Sequence, residues 1–222
     1  MKILAIETSQ SACSVALLVD DQCCERTDSQ ARQHAQRVLE MVDALLDETN
    51  LTLSQLDAIA FNQGPGSFTG IRIGTAIAQG LAFSQALPLI PVSSFDVLRN
   101  LASEKFSYQN IAIAIDARMQ EVYFSAYECQ QGIWNIVSEP CVVPPASIEL
   151  DQSKKWLALG NGWAAYRDQF SQSVKAVCTE TIDNLHPEAS AVARLAKEEA
   201  EGGLKRFTSD LAEPLYLRNK VV

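Results

Sequence analysis

Histidine is nearly absent from this chain: His34 and His186 are the only two in 222 residues. A helical zinc or iron pair needs a second histidine four residues on, along the same face. That place after His34 holds Val38, so the pair is excluded, and no metal site is expected. His186 precedes Pro187 and reads as a loop or pre-cap residue. A Gly-x-Ser-x-Gly nucleophile elbow is missing, although counting alone does not dispose of a Ser-His-Asp triad. No Gly-Lys-Ser/Thr follows any glycine-rich loop and no GxGxxG occurs, which removes the Walker A and dinucleotide motifs. Apolar runs stay well short of the roughly 18 residues that a membrane span requires. The N-terminal apolar stretch meets Glu7 too soon to form a signal-peptide core, so a cytoplasmic protein is expected. Six cysteines (Cys13, Cys23, Cys24, Cys129, Cys141, Cys178) form no CxxC pair and read as small apolar fillers or free thiols. Linkers and low-complexity tracts are also lacking.

What is present describes an ordinary globular chain, 47% hydrophobic and 20% charged. Its length suffices for one sizeable core or two small ones. The net charge of -9 repels nucleic acid on average, so any RNA contact falls mainly to a more basic partner.

The segment Asn62-Gln63-Gly64-Pro65-Gly66-Ser67-Phe68-Thr69-Gly70-Ile71-Arg72-Ile73-Gly74 is the most informative stretch. It follows an apolar run, Asp57 to Phe61, that predicts a buried strand. It precedes helical apolar spacing from Ile71 to Leu87. Glycine lets backbone approach another molecule closely, and free N–H groups at a helix start favour an anion or a carbonyl. With no strong acid, base or thiolate, the loop is suited to binding or docking, and no catalytic residue is assigned. Gly-Pro-Gly is equally common turn punctuation, with Ser67 or Thr69 as ordinary N-caps.

Two stretches echo one another. Ile3 to Ser9 runs into Ala12 to Leu18, and Ile111 to Arg118 runs into Glu121 to Tyr127. Each copy is a buried strand ending in an acid, a polar turn, then a second strand. Third strands are expected near Cys23–Asp28 and Gly132–Val137. Two such units predict a duplicated α/β protein. Lobes of 1–106 and 107–222 are expected, with the C-terminal segment able to pack back on the first. Helices are predicted over Gln33–Asn50, Ser93–Lys105, Asn161–Phe170 and Pro187–Gly202. The first carries Val38, Leu39, Val42 and Leu45 on one stripe, which Met41 widens beyond a single core face. In the helix after the loop, Gly70, Gly74 and Ala78 recur every four residues, a row that lets another helix approach.

Glu7 and Asp116 occupy matching places at strand ends, where α/β proteins tend to bind ligands. Phosphotransferases of duplicated actin-like design carry Asp-x-Gly there. These turns read Glu7-Thr8-Ser9 and Asp116-Ala117-Arg118, without glycine, which favours a residual cleft over a working one. Leu157 to Gly162 repeats the strand–glycine–helix design more weakly, as the edge of a nucleotide pocket or as a plain turn.

With Ile3 to Ser9, His34 before an amphipathic helix, Gly64 to Gly74 and Pro214-Leu215-Tyr216-Leu217-Arg218 assembled, the chain resembles the TsaB (YeaZ) family. The likeness is strong from Met1 to about Ser94, loose through the second half, and returns at the C-terminus. It implies a duplicated actin/Hsp70-like (ASKHA) fold, two mixed-sheet lobes flanked by helices. It implies a non-catalytic subunit, without a cofactor, supporting TsaD in forming N6-threonylcarbamoyladenosine beside the anticodon of tRNAs that read codons beginning with A. The implied partners are a TsaD-like catalytic subunit, a TsaE-like ATPase, a second copy in isolation, and tRNA only through the complex. Val38, Leu39, Met41, Val42, Leu45, Gly74 and Ala78 then form the expected interface. Gly64, Pro65, Gly66, Ser67, Phe68, Thr69, Gly70 and Arg72 are expected to contact a ligand or partner, and Glu7, Thr8, Ser9 and Asp116 to line the residual cleft. The competing readings are a small ATP-dependent phosphotransferase of the same fold and a peptidase-type hydrolase.

Overall fold

The computed structural model describes residues 1–29, 34–202 and 212–218. The first strands, β1 (Lys2–Glu7) and β2 (Cys13–Val19), are runs of Ile, Leu, Val and Ala buried on both faces. They pair antiparallel with Lys2 opposite Val19 and Glu7 opposite Ser14. The next strand, β3 (Gln22–Asp28), reads QCCERTD and takes the exposed edge, where charge discourages further pairing. Helix α1 (His34–Thr49) lays Val38, Val42, Leu45 and Leu46 into the core. Strand β4 (Ala58–Gly64) pairs parallel with β1, Ile3 beside Ala58, and is followed by α2 (Phe68–Gln85) and β5 (Leu89–Ser93). The sheet order is β3-β2-β1-β4-β5.

Helix α2 starts three residues earlier than the apolar spacing predicts, because the Ser67 hydroxyl accepts the Gly70 N–H at 3.2 Å and caps it. Helix α3 (Ser94–Lys105) begins under Ser93, whose Oγ accepts from the Phe95 N–H at 3.2 Å.

The second sheet repeats the first. Strands β6 (Asn110–Asp116), β7 (Val122–Gln130) and β8 (Ile133–Val143) form an antiparallel meander, and β9 (Trp156–Leu159) runs parallel to β6. After α4 (Gly162–Ala165) and α5 (Gln172–Val177), β10 (Cys178–Ile182) completes the order β8-β7-β6-β9-β10. That is the order of the first sheet strand for strand, so the echo between Ile3–Leu18 and Ile111–Tyr127 is a structural duplication. The architecture is the expected duplicated actin/Hsp70-like one.

The predicted helix over Asn161–Phe170 is a single turn, α4. Trp163 and Phe170 stack with centroids 4.2 Å apart, whereas seven residues of continuous helix would separate them by about 10 Å. Burying both rings makes the chain curl back. Helix α5 and strand β10 had no sequence expectation.

Helix α6 (Ala189–Glu201) starts two residues after Pro187 and packs on the first sheet. Its first N–H groups are taken by side chains of that sheet: Ala189 N–H donates to Ser14 Oγ at 2.9 Å and Ser190 N–H to Glu25 Oε1 at 3.3 Å. Lys197 Nζ reaches Asp21 Oδ1 at 2.7 Å. Among the described residues the chain divides into two compact units, Met1–Val97 with Pro187–Leu215, and Leu98–His186 with the residues from Tyr216. The sequence expectation had put the boundary at 106, with the C-terminal segment able to pack back on the first lobe. No helix of the described residues is long and apolar enough to cross a membrane.

Candidate functional site

The polar turn at the end of β1 is built from three consecutive buried residues, Glu7, Thr8 and Ser9. The Ser9 N–H donates to Glu7 Oε1 at 2.5 Å, and the Asn62 side-chain amide donates to Glu7 Oε2. Asn62 is itself fixed, since its Oδ1 accepts from Gly64 N–H and Ser94 Oγ, both at 2.8 Å. Burial pushes the Glu7 carboxyl above the ordinary glutamate range, against the pull of the Ser9 and Asn62 hydrogen bonds.

The glycine-rich loop is seated on this turn. Its chain reverses at Gly64, which has φ +100° and precedes a cis peptide to Pro65. Ser67 N–H donates to the Ser9 carbonyl at 2.7 Å, and Thr8 Oγ1 donates to the Gly70 carbonyl at 2.8 Å. A Cβ on Gly66 would stand 2.2 Å from the Ser9 carbonyl oxygen, and one on Gly70 2.0 Å from that of Thr8. At Gly74 it would stand 2.3 Å from Thr8 Oγ1. The close approach that glycine permits is thus made to the protein's own turn. Farther along the chain, Leu215 N–H donates to the Gln63 carbonyl at 2.8 Å.

The side chains that face outward from the loop are Ser67, Phe68 and Thr69. The Phe68 ring is 54% exposed, with the Arg72 guanidinium carbon 3.2 Å above its centroid. Gly74 and Ala78 are buried against the unit's own strands, as are Val38, Val42 and Leu45 in its core, while Met41 packs partly against it and Leu39 is exposed. A different row reaches solvent on α2: Arg72, then the small residues Ala76 and Gly80, ending at Phe83, which is 80% exposed. A Cβ on Gly80 would meet nothing within 4 Å. This row is offset by two residues from the one that the sequence pattern singles out.

In the second unit the turn after β6 is closed by side chains. Asp116 Oδ1 accepts from Tyr166 OH at 2.7 Å and from Arg118 N–H at 2.8 Å, while Oδ2 meets the Arg118 guanidinium at 3.0 Å. The Asp116 N–H donates to Asn161 Oδ1 at 2.9 Å. Arg118, Met119 and Gln120 all lie in the left-handed region, with φ of 61°, 54° and 61°. The Arg218 guanidinium holds this turn, donating to Glu121 Oε2 at 2.6 Å and to the Ala117 carbonyl at 3.1 Å. Burial, then the Asp116 carboxylate, pushes the Tyr166 hydroxyl above the ordinary tyrosine range. Gly160 and Gly162 press on the Ala114 carbonyl, so the short connection from β9 to α4 is a tight turn against β6.

Among the described residues no three His, Cys, Asp or Glu side chains gather to hold a metal. Sequence reasoning placed Glu7 and Asp116 correctly at strand ends, but it did not connect the Glu7 turn with the glycine-rich loop seated on it. It gave no role to Asn62 or Ser94, which anchor Glu7, to Tyr166, or to Ala76, Gly80 and Phe83. A phenylalanine near the end of an apolar helix, Phe83, is the one sequence signal that could have found the last group.

Comparison with known proteins extends these observations. The family described as "TsaD: tRNA N6-adenosine threonylcarbamoyltransferase" matches residues 23–222. A protein of Haemophilus influenzae named tRNA threonylcarbamoyladenosine biosynthesis protein TsaB is 39% identical over 100% of this chain and 95% of its own length. The Escherichia coli protein of the same name is 38% identical over 100% of this chain and 96% of its own length. The structure of YeaZ from Pseudomonas aeruginosa superposes with a TM-score of 0.88 at 37% identity, covering 97% of this chain and 99% of that one. A duplicated fold, a glycine loop folded onto its own first turn and full-length likeness to these relatives agree: the chain belongs to the TsaB (YeaZ) family.

Proposed function

We propose that this chain is a non-catalytic subunit that supports a TsaD-like transferase in forming N6-threonylcarbamoyladenosine next to the anticodon of tRNAs reading codons that begin with A. The observation that carries this reading is the destination of the glycine-rich loop. Its glycines are occupied by the Thr8 and Ser9 backbone, and Glu7 is enclosed by Asn62 and Ser9. A group that must exchange protons or hold a phosphate needs access to its substrate, and the Glu7 carboxylate has none. What the first unit offers outward is a helix face of Arg72, Ala76, Gly80 and Phe83. Small residues flanked by an exposed aromatic suit a helix of another subunit lying close along α2.

The catalytic subunit docks on this face, and a second copy covers it when that subunit is absent. A TsaE-like ATPase joins the assembly, and tRNA is reached through the complex, in keeping with a net charge of -9. The test is reconstitution of threonylcarbamoyl transfer with and without this chain, with its own ATP hydrolysis followed in parallel. Transfer is expected to require the chain, which alone hydrolyses nothing. Magnesium-dependent ATP turnover by the isolated chain would favour the phosphotransferase reading instead.

A further inference from the structure

Helices α1 and α2 share one core, in which Val38 and Val42 of the first and Ala78 and Ala82 of the second pack with Leu4 and Ile6 of β1. Their outward faces therefore lie side by side, and they differ in charge. The 18 residues of α2 include a single charged side chain, Arg72, whose guanidinium lies over the Phe68 ring. The 16 residues of α1 include one arginine, Arg37, and four carboxylates, Glu40, Asp43, Asp47 and Glu48.

Two of these acids already meet a cation: Glu40 lies 2.8 Å from Arg37 and Glu48 lies 3.0 Å from Arg26. Asp43 and Asp47 are exposed, and among the described residues neither carboxylate has a hydrogen-bond or ionic partner. They stand four residues apart on one helix face, where like charges repel. Leu39, 45% exposed, precedes them on the same row of every fourth residue. An apolar contact and two unanswered negative charges thus flank the outer face of α2.

We propose that this charge selects what docks along α2: a partner helix carrying lysine or arginine beside its apolar stripe is favoured over a second copy of this chain, with Asp43 and Asp47 as the specificity-determining residues. The selection deepens, and rests on, the docking of a catalytic subunit on the α2 face. A cation brought to Asp43 and Asp47 offsets their mutual repulsion. A two-fold pair of identical chains instead sets the same patch against itself and brings two acidic α1 helices together. Salt screens both effects, since the Debye length falls from about 10 Å at 0.1 M to about 3 Å at 1 M. Binding of the basic partner therefore weakens with salt while self-association tightens, two responses of opposite sign.

The experiment measures two dissociation constants of the full chain, for the purified TsaD-like subunit and for itself by analytical ultracentrifugation, from about 0.05 to about 0.5 M NaCl. Over that range the first is expected to rise at least about tenfold and the second to fall at least about threefold. The double variant Asp43→Asn with Asp47→Asn separates charge from the general effect of salt on apolar contact. It should bind the partner at least about fivefold more weakly, mainly through slower association, and self-associate more tightly, with its thermal midpoint unchanged because both positions are exposed. Salt responses of the same sign, or a double variant that behaves as the parent does, would overturn the selection. So would a double variant that shows no self-association at either salt. If the charge variants have no effect while Gly80→Leu with Phe83→Asp abolishes partner binding, the docking face stands and only the selection by charge fails. If binding survives Gly80→Leu with Phe83→Asp, both fail.

Discussion

The two turns that follow β1 and β6 occupy the same place in duplicated sheets, yet they are closed by opposite means. Thr8 and Ser9 are covered by backbone, with Glu7 held beside them by Asn62 and the Ser9 N–H: the Gly66–Gly70 loop lies so close that a single Cβ would collide with a carbonyl oxygen. Asp116 is covered by side chains, Tyr166, Asn161 and Arg118, with Arg218 holding the turn beyond it. Backbone contact leaves no adjustable atoms, while side-chain contact can relax by rotamer changes. The first turn is therefore the rigid one, and damage there should cost more.

Three substitutions break or sharpen that contrast. The largest effect is expected for Gly70→Ala, whose Cβ meets the Thr8 carbonyl oxygen at 2.0 Å, so the loop must lift away. Overpacking of this kind costs about 3 kcal/mol, measurable as a lower urea midpoint. Glu7→Gln comes next, at about 2 kcal/mol, because its new amide faces the Asn62 amide, donor against donor. Glu7 also carries a pH signature. Its folded-state pKa lies above the ordinary 4.5, so the folded chain holds a proton that the unfolded chain releases. Its stabilising contribution is full below pH 4.5 and is lost as pH rises through the folded value. Urea unfolding from pH 4 to 7 should show a smaller decline in Glu7→Gln than in the parent, the remainder coming from Glu199, whose carboxyl burial pushes up to about 6. Tyr166→Phe should cost least, about 1 kcal/mol, since Arg118 and Asn161 still hold Asp116. A larger loss for Tyr166→Phe than for Gly70→Ala would reverse the ranking of the two turns.

Much of the fold is legible in the sequence because it depends on patterns that recur. Ile3–Ile6 and Ile111–Ile115 are apolar runs ending in an acid, and that repeated signal reports the duplication directly. The ends of α1 and α3 are legible for a similar reason, being set by local periodicity and a serine at the start of α3. The phase of α2 is another matter. Ile71, Ile73, Ala76, Ile77, Ala78, Leu81, Ala82 and Phe83 spread apolar groups around the whole helix, so no stripe marks the inside. Hence the row Gly74–Ala78, equally small, reads as an outer face although it lies on Thr8 and the core. A glycine also gives no sign of what it lies against, and only the structure reveals the Ser9 and Thr8 carbonyls under Gly66 and Gly70. Strand β10, Cys-Thr-Glu-Thr-Ile with its middle exposed, carries too little apolar pattern to be seen. The seat of α6 on the first sheet depends on Ser14 and Glu25, far away in sequence.

The central claim is that the first unit works through the outer face of α2 and not through its enclosed turn. The direct measurement is the affinity of the chain for its TsaD-like partner with Gly80→Leu and Phe83→Asp, alone and together. Both positions are exposed, so the thermal midpoint should stay within about 2 °C of the parent. Binding is expected to weaken at least about tenfold for each and further for the pair. Unchanged affinity in the double variant would contradict the account.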